Sequence, residues 1–371
     1  MSGTVLFLGA GATKSVQIPG AVDAPLTDEI LPAVLEMKGS LQQQDTSGRV
    51  NELVNFLTQE FHVDIAKRDS FNSLKPDKNQ YPGLPLLMSL IDTALDRGEP
   101  LYGVWDLYKL AQLREAIEFG IFDVLEDVLR KAPTNNHYNM LWKLFPGPEQ
   151  PCVISTNYDL TVDSSMMYVS RQRQPPGGLP DYRCGLANLS QIEPGQRFGT
   201  LLKLHGSLNW LMCKNCFYME LGETDFTRFL TILQKVAGPD LRSSLLSDGS
   251  LCPVCSSKLR RPLLVAPSHL KDYRNPHLAQ VWHEAQQVLR QASRVIFVGY
   301  SMPDDDVEVV YLVKRSLGHI RDPKQITVVE YCGANTMIPA SEHAVGRRYR
   351  TLFGDIDWHA GGLDQWLATI P

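Results

Sequence analysis

No stretch of the 371-residue chain runs apolar for the roughly 18 residues that a membrane-spanning helix needs, so no membrane partner is expected. Positive charge is not in excess either: Lys and Arg number 36 against 41 Asp and Glu, for a net charge of −5. Such a chain lacks the field that draws proteins to phosphate backbones, which argues against nucleic acid as a direct ligand. The one short basic run, Lys258–Arg261, reads as solvated surface. No internal repeat or low-complexity tract is visible. The opening MSGTVLFLGAGATK places no basic segment before its short apolar run, so it does not read as an export signal, and a cytoplasmic location is expected. Cysteines number seven: four stand in two C-x-x-C pairs, while Cys152, Cys184 and Cys332 are isolated. With no export signal, this excludes a disulfide framework and points to a metal site plus buried thiols.

What the chain does have is a hydrophobic fraction of 43 %, enough for a large core. Much of it lies in short continuous apolar runs: Thr4–Thr13, Pro151–Asp159, Ser293–Asp306 and Lys324–Tyr331, with Thr200–Gly206 and Pro262–Pro267 completing the set. Continuous runs suit strands buried on both faces of a parallel sheet, which predicts an α/β fold. Several of these runs end in polar residues, and the carboxyl end of an open parallel sheet is where ligands bind. Residues 28–148 read instead as a mostly helical insertion, in which Leu110, Leu113, Ile117, Ile121, Val124 and Leu129 recur at helical steps. The Gly- and Pro-rich segment Arg171–Gly185 predicts a loop. The closing GLDQWLAT predicts a helix packed back on the sheet.

Three motifs carry chemistry. FLGAGAT follows the first strand, and Gly9-x-Gly11 allows backbone N–H groups to approach a diphosphate. It lacks the third glycine of the usual dinucleotide fingerprint, so a plain tight turn stays open. Gly299-Tyr300-Ser301 offers a second phosphate- or ribose-facing loop, and Glu330 at a later strand end either binds ribose hydroxyls or is a solvated terminus. The third motif is the pair Cys213/Cys216 and Cys252/Cys255. Each C-x-x-C turn presents two sulfurs to one point, so the four thiolates suit tetrahedral zinc. The gap between the pairs exceeds the usual zinc-ribbon spacing and holds TDFTRFLTILQKV, which reads as an inserted helix. Four cysteines leave no open position, so the zinc is structural and has no need of His205 in KLHGSLNWLMCKNC.

GAGAT, STNYD, LHGS closely followed by C-x-x-C, the second C-x-x-C and VGYS occur in one order from Gly9 to Ser301. In that combination the chain resembles the sirtuin-like NAD-consuming superfamily. The resemblance implies a Rossmann-like, mostly parallel sheet with a helical insertion and a four-cysteine zinc-binding insertion. It implies an NAD-binding domain from segments 1–27, 149–212 and 257–371, interrupted by the helical insertion 28–148 and a zinc module 213–256. NAD would be the substrate and Zn2+ a structural ion. Gly9, Ala10, Gly11 and Thr13 would line the diphosphate, and Asn157 would hold the nicotinamide ribose or the attacking water. Asp159 would contact the nicotinamide carboxamide, and His205 would be the general base. On the residues alone, His205 also reads as a satisfied strand-end histidine, and Asn157 with Asp159 as an Asx turn.

The chain departs from the protein-deacylating sirtuins. Their first glycines lead into a Gly-Ile-Pro-Asp-Phe-Arg-like sequence. Here SVQIPGAVDAPLTDEI keeps Ile18-Pro19 and has no Phe-Arg pair. GYSMPDDD replaces a Gly-Thr-Ser loop, and TNYD replaces Gln-Asn-Ile-Asp. These changes make water a better acceptor than a peptide and look like the sirtuin-like NAD hydrolases of bacterial antiphage defence, which deplete NAD when triggered. Resemblance to these enzymes implies an NAD glycohydrolase that is a homo-oligomer or is activated by a partner defence protein. An NAD-dependent deacylase or ADP-ribosyltransferase is the enzymatic alternative, since the four-cysteine module accompanies protein-modifying members. A non-catalytic NAD or ADP-ribose sensor or scaffold is the alternative of another class.

Overall fold

The computed structural model describes residues 3–16, 24–36, 49–63, 81–101, 103–129, 137–174, 178–187, 197–221, 251–257 and 260–370. The helix expected within TDFTRFLTILQKV, Ile18-Pro19 and Lys258 lie outside the described residues. The chain opens with β1 (Thr4–Leu8) and the short α1 (Ala10–Lys14). Five helices follow: α2 (Thr27–Glu36), α3 (Arg49–Phe61), α4 (Leu84–Arg97), α5 (Leu107–Leu129) and α6 (Tyr138–Leu144). Then come β2 (Cys152–Ser155), α7 (Thr161–Gln172), β3 (Thr200–Lys203), β4 (Gly206–Cys213), β5 (Met219–Leu221) and β6 (Arg260–Leu264). The last part holds α8 (Pro276–Gln291), β7 (Arg294–Val298), α9 (Val307–Ser316), β8 (Ile326–Val329), α10 (Ala344–Phe353), β9 (Asp357–His359) and α11 (Gly362–Thr369).

Six strands form one parallel sheet in the order β3-β2-β1-β7-β8-β9. Counted along their own succession, these strands run 3-2-1-4-5-6, the order of doubly wound Rossmann-like sheets. The apolar runs form strands because both faces are covered: Val5 to Leu8 and Val295 to Val298 are all at most 2 % exposed. Phe7 packs on Phe297 and Tyr300 at ring centroid distances of 5.1 and 5.0 Å. Burying such a ring contributes about 2–3 kcal/mol. The order reverses between β1 and β7, the place where an open sheet of this kind offers a crevice beyond the carboxyl ends of its strands.

A second core gathers α2, α3, α4 and α5. Leu110, Leu113, Ile117, Ile121 and Val124 are buried along one stripe of α5, as their spacing predicts. Met140, Leu141 and Phe145, on and just after α6, belong to the core of the sheet instead. No helix among the described residues is long and apolar enough to cross a membrane.

The structure alters three local readings. Thr200–Gly206 is not one strand: β3 stops at Lys203, a turn carries Leu204 and His205, and Gly206 starts β4 of another sheet. The run from Pro262 pairs there as well, since β5-β4-β6 is a separate antiparallel sheet. Leu208 and Trp210 face different cores because the register shifts between Ser207 and Leu211, and a bulge moves the following side chains to the other face. The loop expected from Arg171 begins later, because α7 continues to Gln172. β9 had no sequence signal: it is three residues long and half-buried.

Candidate active site

The crevice at the β1/β7 reversal is a cavity of about 1000 Å³. Ala10, Gly11, Thr13, Asn157, Asp159, His205, Gly299, Ser301 and Glu330 line it. Gly9 lies behind the lining, against the loop after β7. A Cβ there would stand 2.5 Å from Gly299 O and from Tyr300 Cα. Gly299 has φ +58, and its Cβ would meet Ala12 N at 2.3 Å. Gly11 N donates to Gly299 O at 2.9 Å, and Gly9 N donates to Val298 O at 3.0 Å. The first duty of these glycines is therefore to let two backbone loops touch, which seats the floor of the crevice.

Asn157 follows β2 and stands across from that floor. Its Nδ2 donates to Gly9 O and to Thr13 Oγ1, both at 2.9 Å. Gly9 O can only accept, so the amide is oriented with its nitrogen toward the turn. Both amide hydrogens are thereby used, and Oδ1 is the polar atom left for the cavity. Thr13 passes the chain on by donating to Asp159 Oδ2 at 2.9 Å. Asp159 Oδ1 accepts from Thr161 N at 2.9 Å and from Thr161 Oγ1, at the start of α7. Asp159 thus fixes the loop that carries Asn157 as well as lining the cavity. Beneath it, the fully buried Lys203 pairs with Asp163 at 3.1 Å and donates to the Tyr158 and Asp159 carbonyls. On the other side, His137 Nε2 lies 3.0 Å from Ala12 O and holds α1.

His205 occupies the turn between the two sheets. Its carbonyl accepts from Val265 N at 2.9 Å, and Leu204 N donates to Ser155 O at 2.9 Å. α8 steadies the same turn. Asn275 caps it by accepting from His277 N and Leu278 N, Pro276 sits in its first turn, and Leu278, Val281, Ala285 and Leu289 form its buried stripe. From this helix Trp282 Nε1 donates to Leu204 O at 2.9 Å. The ring of His205 faces Asp306, with Nε2 3.4 Å from Oδ1. Lys271 Nζ reaches Asp306 Oδ1 at 2.7 Å and Asp305 Oδ2 at 2.8 Å. Tyr300 OH donates to Asp306 Oδ2 at 3.0 Å. Burial pushes the His205 imidazole below its ordinary value, against an opposing pull from Asp306. Burial would raise the Asp306 carboxyl, but His205 and Lys271 outweigh it and hold it below the usual range.

Glu330 sits at the end of β8, with Tyr331 N donating to its Oε1 at 3.0 Å. Burial raises its carboxyl above the ordinary value. Sequence reasoning missed Lys203, Lys271, Asp305 and Asp306. A lone lysine inside an apolar strand and three successive aspartates were the available signals.

The four cysteines meet away from His205: Cys213, Cys216, Cys252 and Cys255 place their sulfurs within 4.8 Å of one another. Cys213 to Cys255 and Cys216 to Cys252 are each 3.6 Å. A tetrahedron with zinc–sulfur bonds of about 2.3 Å has edges of about 3.8 Å, so the set fits zinc. The two knuckles share one backbone form. Phe217 N donates to Cys213 O and Ser256 N to Cys252 O, each at 2.9 Å. Phe217 and Ser256 both have φ 58. The zinc would tie the end of β4 to the segment before β6.

Buried neutral histidines make stability depend on pH. Burial lowers both His137 and His205 below the ordinary 6.5. Between the folded and unfolded values the unfolded chain binds protons that the folded chain does not, so stability is present above 6.5 and is lost as pH falls below it. Each unit of lowering contributes about 1.4 kcal/mol. The melting temperature is expected to drop between about pH 7.5 and about pH 5.5. An unchanged melt would mean that neither ring is held neutral.

No protein-family model matches the chain, and no curated protein matches it. Solved structures do resemble it. A Sir2 homologue in complex with NAD is 14 % identical with a TM-score of 0.40, over 94 % of this chain and 87 % of that one. A structure on the mechanism and regulation of Sir2 enzymes is 13 % identical with a TM-score of 0.35, over 94 % and 90 %. A structure on sirtuin substrate affinity is 14 % identical with a TM-score of 0.34, over 99 % and 92 %. At such identities and scores the likeness assigns no activity. These solved structures are of Sir2 enzymes and a Sir2 homologue, and the likeness is one of fold.

Proposed function

We propose that the chain is an NAD glycohydrolase, converting NAD+ and water to nicotinamide, ADP-ribose and a proton. The observation that supports it most is the commitment of the Asn157 amide nitrogen to Gly9 and Thr13, which leaves Oδ1 as an acceptor in the cavity that the His205 ring lines. Breaking the nicotinamide–ribose bond builds positive character on the anomeric carbon. An amide oxygen can orient a water or a ribose hydroxyl there. A neutral imidazole can then take the proton as the new C–O bond forms. Burial keeps His205 neutral near pH 7 and therefore able to accept.

In this reading the Gly9–Thr13 turn and the Gly299–Ser301 loop hold the diphosphate, and Glu330 meets a ribose. Asp159 meets the carboxamide while it orders Thr13. NAD binding belongs to segments 1–27, 149–212 and 257–371, with 28–148 a helical unit and 213–256 the zinc module. Zinc closed by four thiolates would hold its two knuckles together. The reading extends to NAD depletion in the cytoplasm as an antiphage response, by a homo-oligomer or after activation by a partner protein.

Nicotinamide release from NAD alone, with no peptide present, tests the reading. It separates a hydrolase from a deacylase and from a sensor that only binds. Asn157→Ala is expected to remove turnover. It also removes one donor from Gly9 O, which keeps Ala12 N at 2.9 Å, so the melting temperature should fall only by an amount that matches about 0.5–1.5 kcal/mol. Full turnover in this variant would leave Asn157 a loop-fixing residue only.

A further inference from the structure

His205 has a second neighbour besides the cavity. Its Nε2 is buried, has no hydrogen-bond partner among the described residues and lies 3.4 Å from Asp306 Oδ1. A proton gained by the ring turns this contact into an ion pair.

We infer that Asp306 is a positioning residue for His205: it stabilises the imidazolium formed when the ring takes a proton, and Lys271 limits how strongly it does so. The inference rests on the reading of His205 as the base. The step balances simply. An O–H bond of water or of a ribose hydroxyl breaks, its electron pair stays on oxygen, and an N–H bond forms at the ring nitrogen that carried none. The proton then leaves to solvent. Asp306 is built for this task. Tyr300 OH fixes Oδ2 at 3.0 Å and Lys271 Nζ fixes Oδ1 at 2.7 Å, so the carboxylate cannot turn away. The Lys271 side chain is only 1 % exposed, so its charge acts at close range. Lys271 also engages Asp305, which leaves Asp306 only partly neutralised. The remaining groups around the ring are Tyr158 and Tyr273, 6.3 and 6.2 Å away between centroids, and burial raises both phenols so that they stay uncharged.

The test follows the His205 imidazole by NMR titration of histidine-labelled full-length chain, its resonance identified by its loss in His205→Gln. Asp306→Asn should lower the titration midpoint by about one unit, and Lys271→Met should raise it by about one unit. In active protein the acid limb of the pH profile for nicotinamide release should move the same two ways, with kcat of Asp306→Asn reduced and KM nearly kept. A merely structural role gives no opposed shifts. Midpoints unmoved in both variants overturn the inference. If Asp306→Asn does not fold, Lys271→Met decides alone: a raised midpoint supports the pairing and an unmoved one overturns it. Titration requires no turnover. A chain that releases no nicotinamide but shows the opposed shifts sinks the hydrolase reading and leaves the pairing standing. Turnover with unmoved midpoints does the reverse.

Discussion

His205→Ala is expected to release nicotinamide at least about 10²-fold more slowly than the wild type, the usual scale for losing a general base. The fold should persist. Asp306, the group left facing the gap, keeps Lys271 and Tyr300 as partners, so no buried charge is stranded. Zinc content should not change, because the metal-ligating cluster consists of the four cysteines alone. NAD affinity should weaken far less than turnover, since the reading puts the diphosphate on the Gly9–Thr13 turn. Nicotinamide release, calorimetry with NAD and metal analysis on one variant read all of this. Wild-type turnover would leave the histidine without a catalytic role and put the sensor or scaffold reading first.

Cys252→Ser is expected to have the largest effect on stability. Its sulfur is buried and 3.6 Å from Cys216. Wild-type protein should carry about one zinc per chain, and the variant little or none. Binding free energies of about 10–16 kcal/mol are typical of structural zinc in peptides and become folding free energy, so the fall in melting temperature should be far greater than for Asn157→Ala. Chelation of the wild type should reproduce it. Zinc retained by the variant, or a melt that neither treatment moves, would rule out a four-thiolate structural site.

Much of this architecture could be read from local pattern. β1, β2, β7 and β8 announced themselves as apolar runs because strands buried on both faces have no polar side to show. The stripe from Leu110 to Val124 and the two C-x-x-C pairs were equally local signals. What stayed hidden depends on which distant segments meet. The antiparallel pairing of β6 with β4 cannot be told from a parallel one by composition. Gly9 and Gly11 looked like a cradle for phosphate, but their tightest contacts are with Gly299 and Tyr300. Lys271 and Asp306 are unremarkable surface types in the sequence and become a buried cluster only when the segments before α8 and α9 close over His205.

β4 has His205 immediately before its first residue and Cys213 as its last. Eight residues at about 3.3 Å each reach at most about 26 Å, less where the bulge bends the strand. All eight are buried, so the strand is held along its length. The four-cysteine corner and the His205 imidazole are thus the two ends of one buried strand. An oxidant or chelator that attacks the thiolates need never enter the crevice to loosen the imidazole, because it releases the far anchor of the strand that begins beside it.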